Sequence, residues 1–186
     1  MIWDDNNDIN CIACDQKSRW IQANLDACRE ERRPYIFVCP TMEVHPLQRI
    51  LVPVTMLEEE VYKVELCTYL ARKTGAHLIL FKAHDYGSHA QRNINRILTH
   101  IRQVAERTGE TISYEVMEAQ SNSFGLSKEA VKRQKELQYD LLILTASREY
   151  GLDDWLFGAP ERHAIRRSSV PVMLVNPRAD LFSLCD

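Results

Sequence analysis

The chain has 186 residues, 45% of them hydrophobic and 26% charged, a balance that suits one globular domain plus an appendage. Its formal net charge of −3 excludes a global attraction to nucleic acid or an anionic membrane. No run approaches the ~20 apolar residues of a membrane span. The opening MIWDDNNDIN is acidic and polar, unlike a signal or transit peptide, so the expected location is the cytoplasm. The basic pairs Arg32-Arg33, Lys132-Arg133 and Arg166-Arg167 read as solvated helix faces.

Residues 1–16 read as a flexible N-terminus. Cys11 and Cys14 form a C-x-x-C there, but no βαβ pattern and no second ligand pair accompany it. A reduced cytosolic pair is preferred over a redox or zinc role. Residues 17–40 form a helix-strand unit: Trp20, Ile21, Leu25 and Cys28 mark a helical stripe, and PYIFVC follows as a strand. Cys28, Cys39 and Cys67 lie in patterned segments and read as small buried hydrophobes. Residues 41–48, TMEVHPLQ, read as a linker.

The regular part begins at Arg49. RILVPV (49–54) is a short run rich in β-branched residues, the pattern of a buried strand. Leu57, Val61, Val64, Thr68 and Ala71 recur at three- and four-residue spacing before Gly75, which predicts a helix with one buried stripe. HLILFKAH (77–84) is a second strand. Ala90, Ile94, Ile97, Ile101 and Val104 step along a second helix that ends at Gly109. TISYEVMEA (111–119) alternates as a third, less buried strand. Ser127 is placed to cap a third helix whose inner face carries Ala130, Gln134 and Leu137. DLLILTA (140–146) is the fourth strand, a short helix falls around 159–167, and VPVMLVNP (170–177) is the fifth strand, followed by a tail at 179–186.

Alternating apolar strands and helices predict an α/β fold, a five-stranded doubly wound parallel sheet of flavodoxin size over residues 49–178. The helix-strand unit is an addition to it. Shifted by 137 residues, segment 27–40 overlays 164–177: Ala27 meets Ala164, Arg29 meets Arg166, Pro34 meets Pro171, and Ile36-Phe37-Val38 meets Met173-Leu174-Val175. Residues 17–40 therefore read as the last helix and strand of a preceding copy of the same domain. Their strand needs an edge to pair with, and VPVMLV is the expected partner, within the chain or by exchange between chains.

Ligands of such sheets sit beyond the carboxyl ends of the strands where the winding reverses. That point lies between Val54-Thr55 and Thr145-Ala146. ILVPV at 50–54, DLLILTA at 140–146, the glycine turn at Gly158 and the closing VPVMLV at 170–175 resemble, in order and spacing, the universal stress proteins over about 49–177. The resemblance implies an adenine-nucleotide α-hydrolase-like fold, a stress-response role, and homodimers built through the 170–175 strand edge unless strand 34–39 covers it. ATP-binding members carry an Asp after the first strand and a Gly-x2-Gly-x9-Gly-Ser/Thr run after the fourth, a nest of backbone amides at a helix N-terminus. Overlaid here, the Asp falls on Thr55, the glycines on Thr145, Arg148 and Gly158, and the hydroxyl on Ala159. Only Gly158 is retained. Side chains at Thr145 and Arg148 occupy space a phosphate needs, Ala159 donates nothing, and Thr55 brings no charge. The resemblance thus implies a regulatory module without cofactor, more a non-enzyme than an enzyme. The alternative is a sensor or weak ATPase in which Arg148 supplies phosphate contacts to ATP or another adenine nucleotide. No metal-ligand spacing, G-x-S-x-G elbow or phosphoacceptor aspartate stands out, and His84, His89, His100 and His163 make no cluster in sequence.

Overall fold

The computed structural model describes residues 9–13, 18–30, 33–58, 60, 63–146 and 160–176. Within them lie seven strands: β1 (Asn10–Ala13), β2 (Tyr35–Val38), β3 (Arg49–Val54), β4 (His77–Lys82), β5 (Tyr114–Glu118), β6 (Leu141–Thr145) and β7 (Val172–Val175). The helices are α1 (Ser18–Glu30), α2 (Lys63–Thr74), α3 (His89–Thr108), α4 (Leu126–Lys132), α5 (Gln134–Leu137) and α6 (Pro160–Arg167). One sheet runs β1-β2-β7-β6-β3-β4-β5. Its neighbours are parallel except at the β2–β7 junction, which is antiparallel.

Successive strand residues point to opposite faces, and the two cores follow that parity. Leu51, Ile79, Phe81, Leu142, Leu144, Val172 and Leu174 meet α1, α4, α5 and α6 on one face. Ile50, Val52, Val54, Leu78, Leu80, Ile143 and Met173 meet α2 and α3 on the other. Helices on both faces are why β3, β4 and β6 are continuously apolar between their ends rather than alternating. β5 is the last strand in the order and shows the exposed alternation its sequence predicts.

Three local expectations are corrected. Leu57, read as part of a buried stripe, is 54% exposed. It sits in the turn after β3, ahead of α2 (Lys63–Thr74), and Val61 lies outside the described residues. Ser127 is not an N-cap: Gly125 holds that position, and Ser127 lies buried inside the first turn of α4. The third helix divides at Arg133 into α4 and α5, and ends at Gln138 in the left-handed region.

The N-terminal segment departs further from expectation. Asn10–Ala13, within the stretch read as flexible, forms β1 and pairs in parallel with β2, Cys11 opposite Ile36. Cys11 therefore does lie at the head of a β1-α1-β2 unit, contrary to the sequence reading, and is exposed there; Cys14 lies outside the described residues. A four-residue strand of mixed polar and apolar residues carries too little periodicity to be legible. Among the described residues the sheet accordingly has seven strands, not five plus one.

β2 pairs with β7 within the chain. Its register sets Tyr35 opposite Leu174, Ile36 opposite Met173 and Phe37 opposite Val172. The 137-residue repeat makes Ile36 the counterpart of Met173, because 36 + 137 = 173. The ladder is therefore centred on a residue and its own counterpart, with Tyr35 and Phe37 exchanging partners across that centre. Any antiparallel pair has a local two-fold; here the axis coincides with the register of the repeat, as in an isologous contact between two copies. Phe37, fully buried, and Ile21 and Leu25 of α1 join the core formed by Ala164 and Ile165 of α6. Burial of one such aromatic contributes about 2–3 kcal/mol.

Candidate functional site

In the β7-β6-β3-β4-β5 part of the sheet, β3 and β6 are neighbours although they are not consecutive, so the winding reverses between them. The chain leaves β3 toward α2 on one face and reaches α6 after β6 on the other. Crossovers that depart to opposite faces leave a crevice at the carboxyl ends. Val54, fully buried, and half-buried Thr55 bound it on one side; half-buried Thr145 and buried Ala146 bound it on the other. Of the six candidate residues, Val54, Thr55 and Thr145 are thus brought to one place. Arg148, Gly158 and Ala159 lie outside the described residues.

Both threonine hydroxyls end on one carboxylate. Thr55 Oγ1 donates to Glu60 Oε1 at 2.7 Å, and Thr145 Oγ1 donates to Glu60 Oε2 at 3.1 Å. Lys63 Nζ pairs with the same Oε2 and also donates to the carbonyl of Pro53. The side chains of Glu60 and Lys63 are 5% and 1% exposed, so an ion pair stands buried at the mouth between β3 and β6. Its desolvation is costly, and removal of one partner would leave an uncompensated buried charge. Glu60 and Lys63 were not legible as site residues. Glu60 closes the run Glu58-Glu59-Glu60, which resembles a solvated turn. The usable signal was Lys63, which falls on the inner stripe of α2 with Cys67 and Leu70. Nearby burial pushes the Cys67 thiol up to about 12, with Lys63 opposing and Glu60 adding to that rise.

The turn that carries Thr55 is held from the side as well. Asn93 of α3, buried, donates to the carbonyls of Thr55 at 2.9 Å and Leu57 at 2.7 Å. Leu57 N–H donates back to Thr55 Oγ1 at 3.2 Å. Met56 N–H donates to Ser123 Oγ at 2.8 Å, and Ser123 in turn donates to Asp85 through its amide (2.8 Å) and its hydroxyl. The loops after β3, β4 and β5 are thereby tied together.

The loop after β5 has its own anchor in Glu129 of α4. Its carboxylate accepts from Gln120 N–H at 3.1 Å, Ser121 N–H at 2.6 Å and Arg133 Nη1 at 2.9 Å. Burial alone would raise this carboxyl; the hydrogen bonds from Gln120, Ser121 and Arg133 overcome it and hold the group at about 2.

The histidines do not converge. His84 contacts Glu118 at 3.1 Å, and His89 contacts Arg92 on the same helix. Burial and then Arg107 lower the pKa of His100; burial and then Lys128, Arg167 and Arg166 lower that of His163. Among the described residues no three His, Cys, Asp or Glu side chains are grouped to hold a metal ion, and no helix is long and apolar enough to cross a membrane.

A family model described as the universal stress protein family matches residues 46–176. No curated protein is significantly similar to the chain. Among solved structures, a universal stress protein from Archaeoglobus fulgidus is 18% identical with a TM-score of 0.64, covering 92% of this chain and 62% of its own. A functionally unknown protein from Pseudomonas aeruginosa PAO1 is 13% identical with a TM-score of 0.55, covering 93% of this chain and 64% of its own. A universal stress protein in complex with cAMP is 19% identical with a TM-score of 0.53, covering 72% of this chain and 100% of its own. At such identities the likeness is one of fold. The chain spans less than two thirds of the two longer structures, and it is against those that the match extends over its N-terminal unit.

Proposed function

The chain belongs to the universal stress protein family, and from that premise we propose a stress-response module that does not bind ATP in the family's usual way and acts through contacts with partner proteins. Family membership supports the stress-response role. The observation that carries the rest is the Glu60 carboxylate, which takes the hydroxyls of both Thr55 and Thr145 at the strand ends. A nucleotide phosphate entering there meets a carboxylate already paired with Lys63 and finds the hydroxyl and ammonium donors engaged. Thr55 stands where an aspartate would grip the ribose, and its hydroxyl is committed inward.

The homodimer that the family resemblance implies uses the β7 edge. In this chain β2 pairs with that edge, and the ladder centred on Ile36 and Met173 supports reading residues 10–38 as a partial copy of the domain that stands in for a second subunit. The longer solved structures, matched over more than nine tenths of this chain, support the same reading. A universal-stress-protein-like chain whose β7 edge is filled in this way recruits partners by other surfaces.

A second reading, a nucleotide sensor or weak ATPase using Arg148, has one observation in its favour: a relative of similar fold is described in complex with cAMP. Isothermal calorimetry of the full chain with ATP and with cAMP separates the two. The expected result is no saturable heat with either. Micromolar binding that is lost in Arg148→Ala would overturn the first reading and establish the second.

A further inference from the structure

We infer that the crevice between β3 and β6 is a binding site for a small carboxylate, and that its resident occupant is the chain's own Glu60. This deepens the reading that ATP is not held there, and rests on it. Three donors from three separate elements converge on the Glu60 carboxylate: Thr55 at the end of β3, Thr145 at the end of β6, and Lys63 at the start of α2. Thr55 serves one oxygen, while Thr145 and Lys63 share the other. That division suits a planar, two-oxygen, singly charged anion better than a tetrahedral phosphate, for which one lysine among the described residues is a poor counter-charge.

The donors are positioned by groups other than Glu60. Asn93 fixes the Thr55 turn through two carbonyls. Lys63 is tethered to the Pro53 carbonyl, and Thr145 belongs to a strand paired on both sides. Without the Glu60 side chain the crevice keeps two hydroxyls that have lost their carboxylate acceptor and one buried ammonium, still on the Pro53 carbonyl, that has lost its counter-charge, a preorganised cationic pocket. In the intact chain Glu60 is tethered a few residues away and present at high effective concentration. A free carboxylate then enters only by displacing it, so the arrangement acts as a built-in competitor at the mouth of the sheet.

The test is chemical rescue of Glu60→Ala in the full chain, with sodium formate and acetate as probes. Sodium chloride at equal ionic strength and inorganic phosphate serve as comparisons. Thermal melting of Glu60→Ala is expected below wild type and to rise saturably with formate and acetate. Phosphate and chloride should give only a small, linear salt effect. Wild type should not respond, and Glu60→Ala/Thr145→Val should need a several-fold higher formate concentration. A response to formate no larger than to chloride, or an equal response in wild type, would overturn the proposal; saturable rescue by phosphate but not formate would overturn the carboxylate assignment. Should Glu60→Ala not fold in buffer, the yield of folded chain after refolding in formate against chloride reads the same equilibrium. A double-mutant cycle between Glu60→Gln and Thr145→Val gives a further check: the unfolding constants should be coupled several-fold, and independence would refute the shared contact. ATP binding to wild type would overturn the ATP-free stress-response module; a failed rescue with ATP still unbound would overturn the carboxylate site alone.

Discussion

Replacing Glu129 with glutamine keeps the shape of the side chain and removes its charge from the loop after β5. In the native chain that carboxylate accepts from two backbone amides and from Arg133. Burial works against its ionisation, but the hydrogen bonds bring it down from 4.5 to about 2. A carboxyl held that far below its ordinary value corresponds to about 3 kcal/mol at neutral pH. Solvent screening near the sheet end trims this to about 2 kcal/mol. For a chain of this size that is a fall in Tm of roughly 4–8 °C. The sign follows from the lowered value: the contribution is complete above the unfolded pKa and is lost as pH falls through the folded one. Urea or thermal melts of wild type and Glu129→Gln should therefore differ fully at neutral pH, and the gap should close between about 4.5 and about 2. Amide exchange at Gln120 and Ser121 should accelerate in the variant. Equal stability at neutral pH, or a gap unchanged near pH 2, would refute the assignment of this stabilisation to the Glu129 charge.

The intrachain β2–β7 pairing predicts that amides of residues 35–38 exchange slowly and that the protein in solution has the mass of a single chain; rapid exchange, or a dimer lost only when β7 is altered, would contradict it. Phe37→Ala should cost about 3–5 kcal/mol in urea unfolding, because the ring is fully buried in the core that α1 and α6 share. A loss under 1 kcal/mol would mean that the N-terminal unit contributes little to the common core. Cys67, buried and with its thiol pushed up to about 12 by that burial, should resist alkylation at mildly alkaline pH until the chain unfolds. Labelling at the rate of exposed Cys11 would show that the core around α2 opens readily.

How much of this was written in the sequence differs by element. The apolar strands β3, β4, β6 and β7, the alternating β5 and the stripe of α3 were legible because in each the burial on one or both faces dictates residue type. The spacing that brought Thr55 and Thr145 to one crevice was legible for the same reason: both terminate such strands. The repeat exposed the kinship of Ile36 with Met173, but not that the two face each other. A shift in sequence carries no information about pairing direction or register, which the common packing of α1 and α6 decides. β1 escaped because four residues bearing Asn and Cys have no pattern to read. Glu60 escaped for a deeper reason. A glutamate in an acidic turn has every local mark of a solvated residue, and only the tertiary fold brings Thr55, Thr145 and Lys63 around it. The sequence by itself determined the family fold and where its crevice must lie. That the crevice is filled by a side chain of its own, and the sheet edge by a strand of its own, was decided by contacts between residues 85 and 137 positions apart, where desolvated charge and backbone pairing, rather than local pattern, set the outcome.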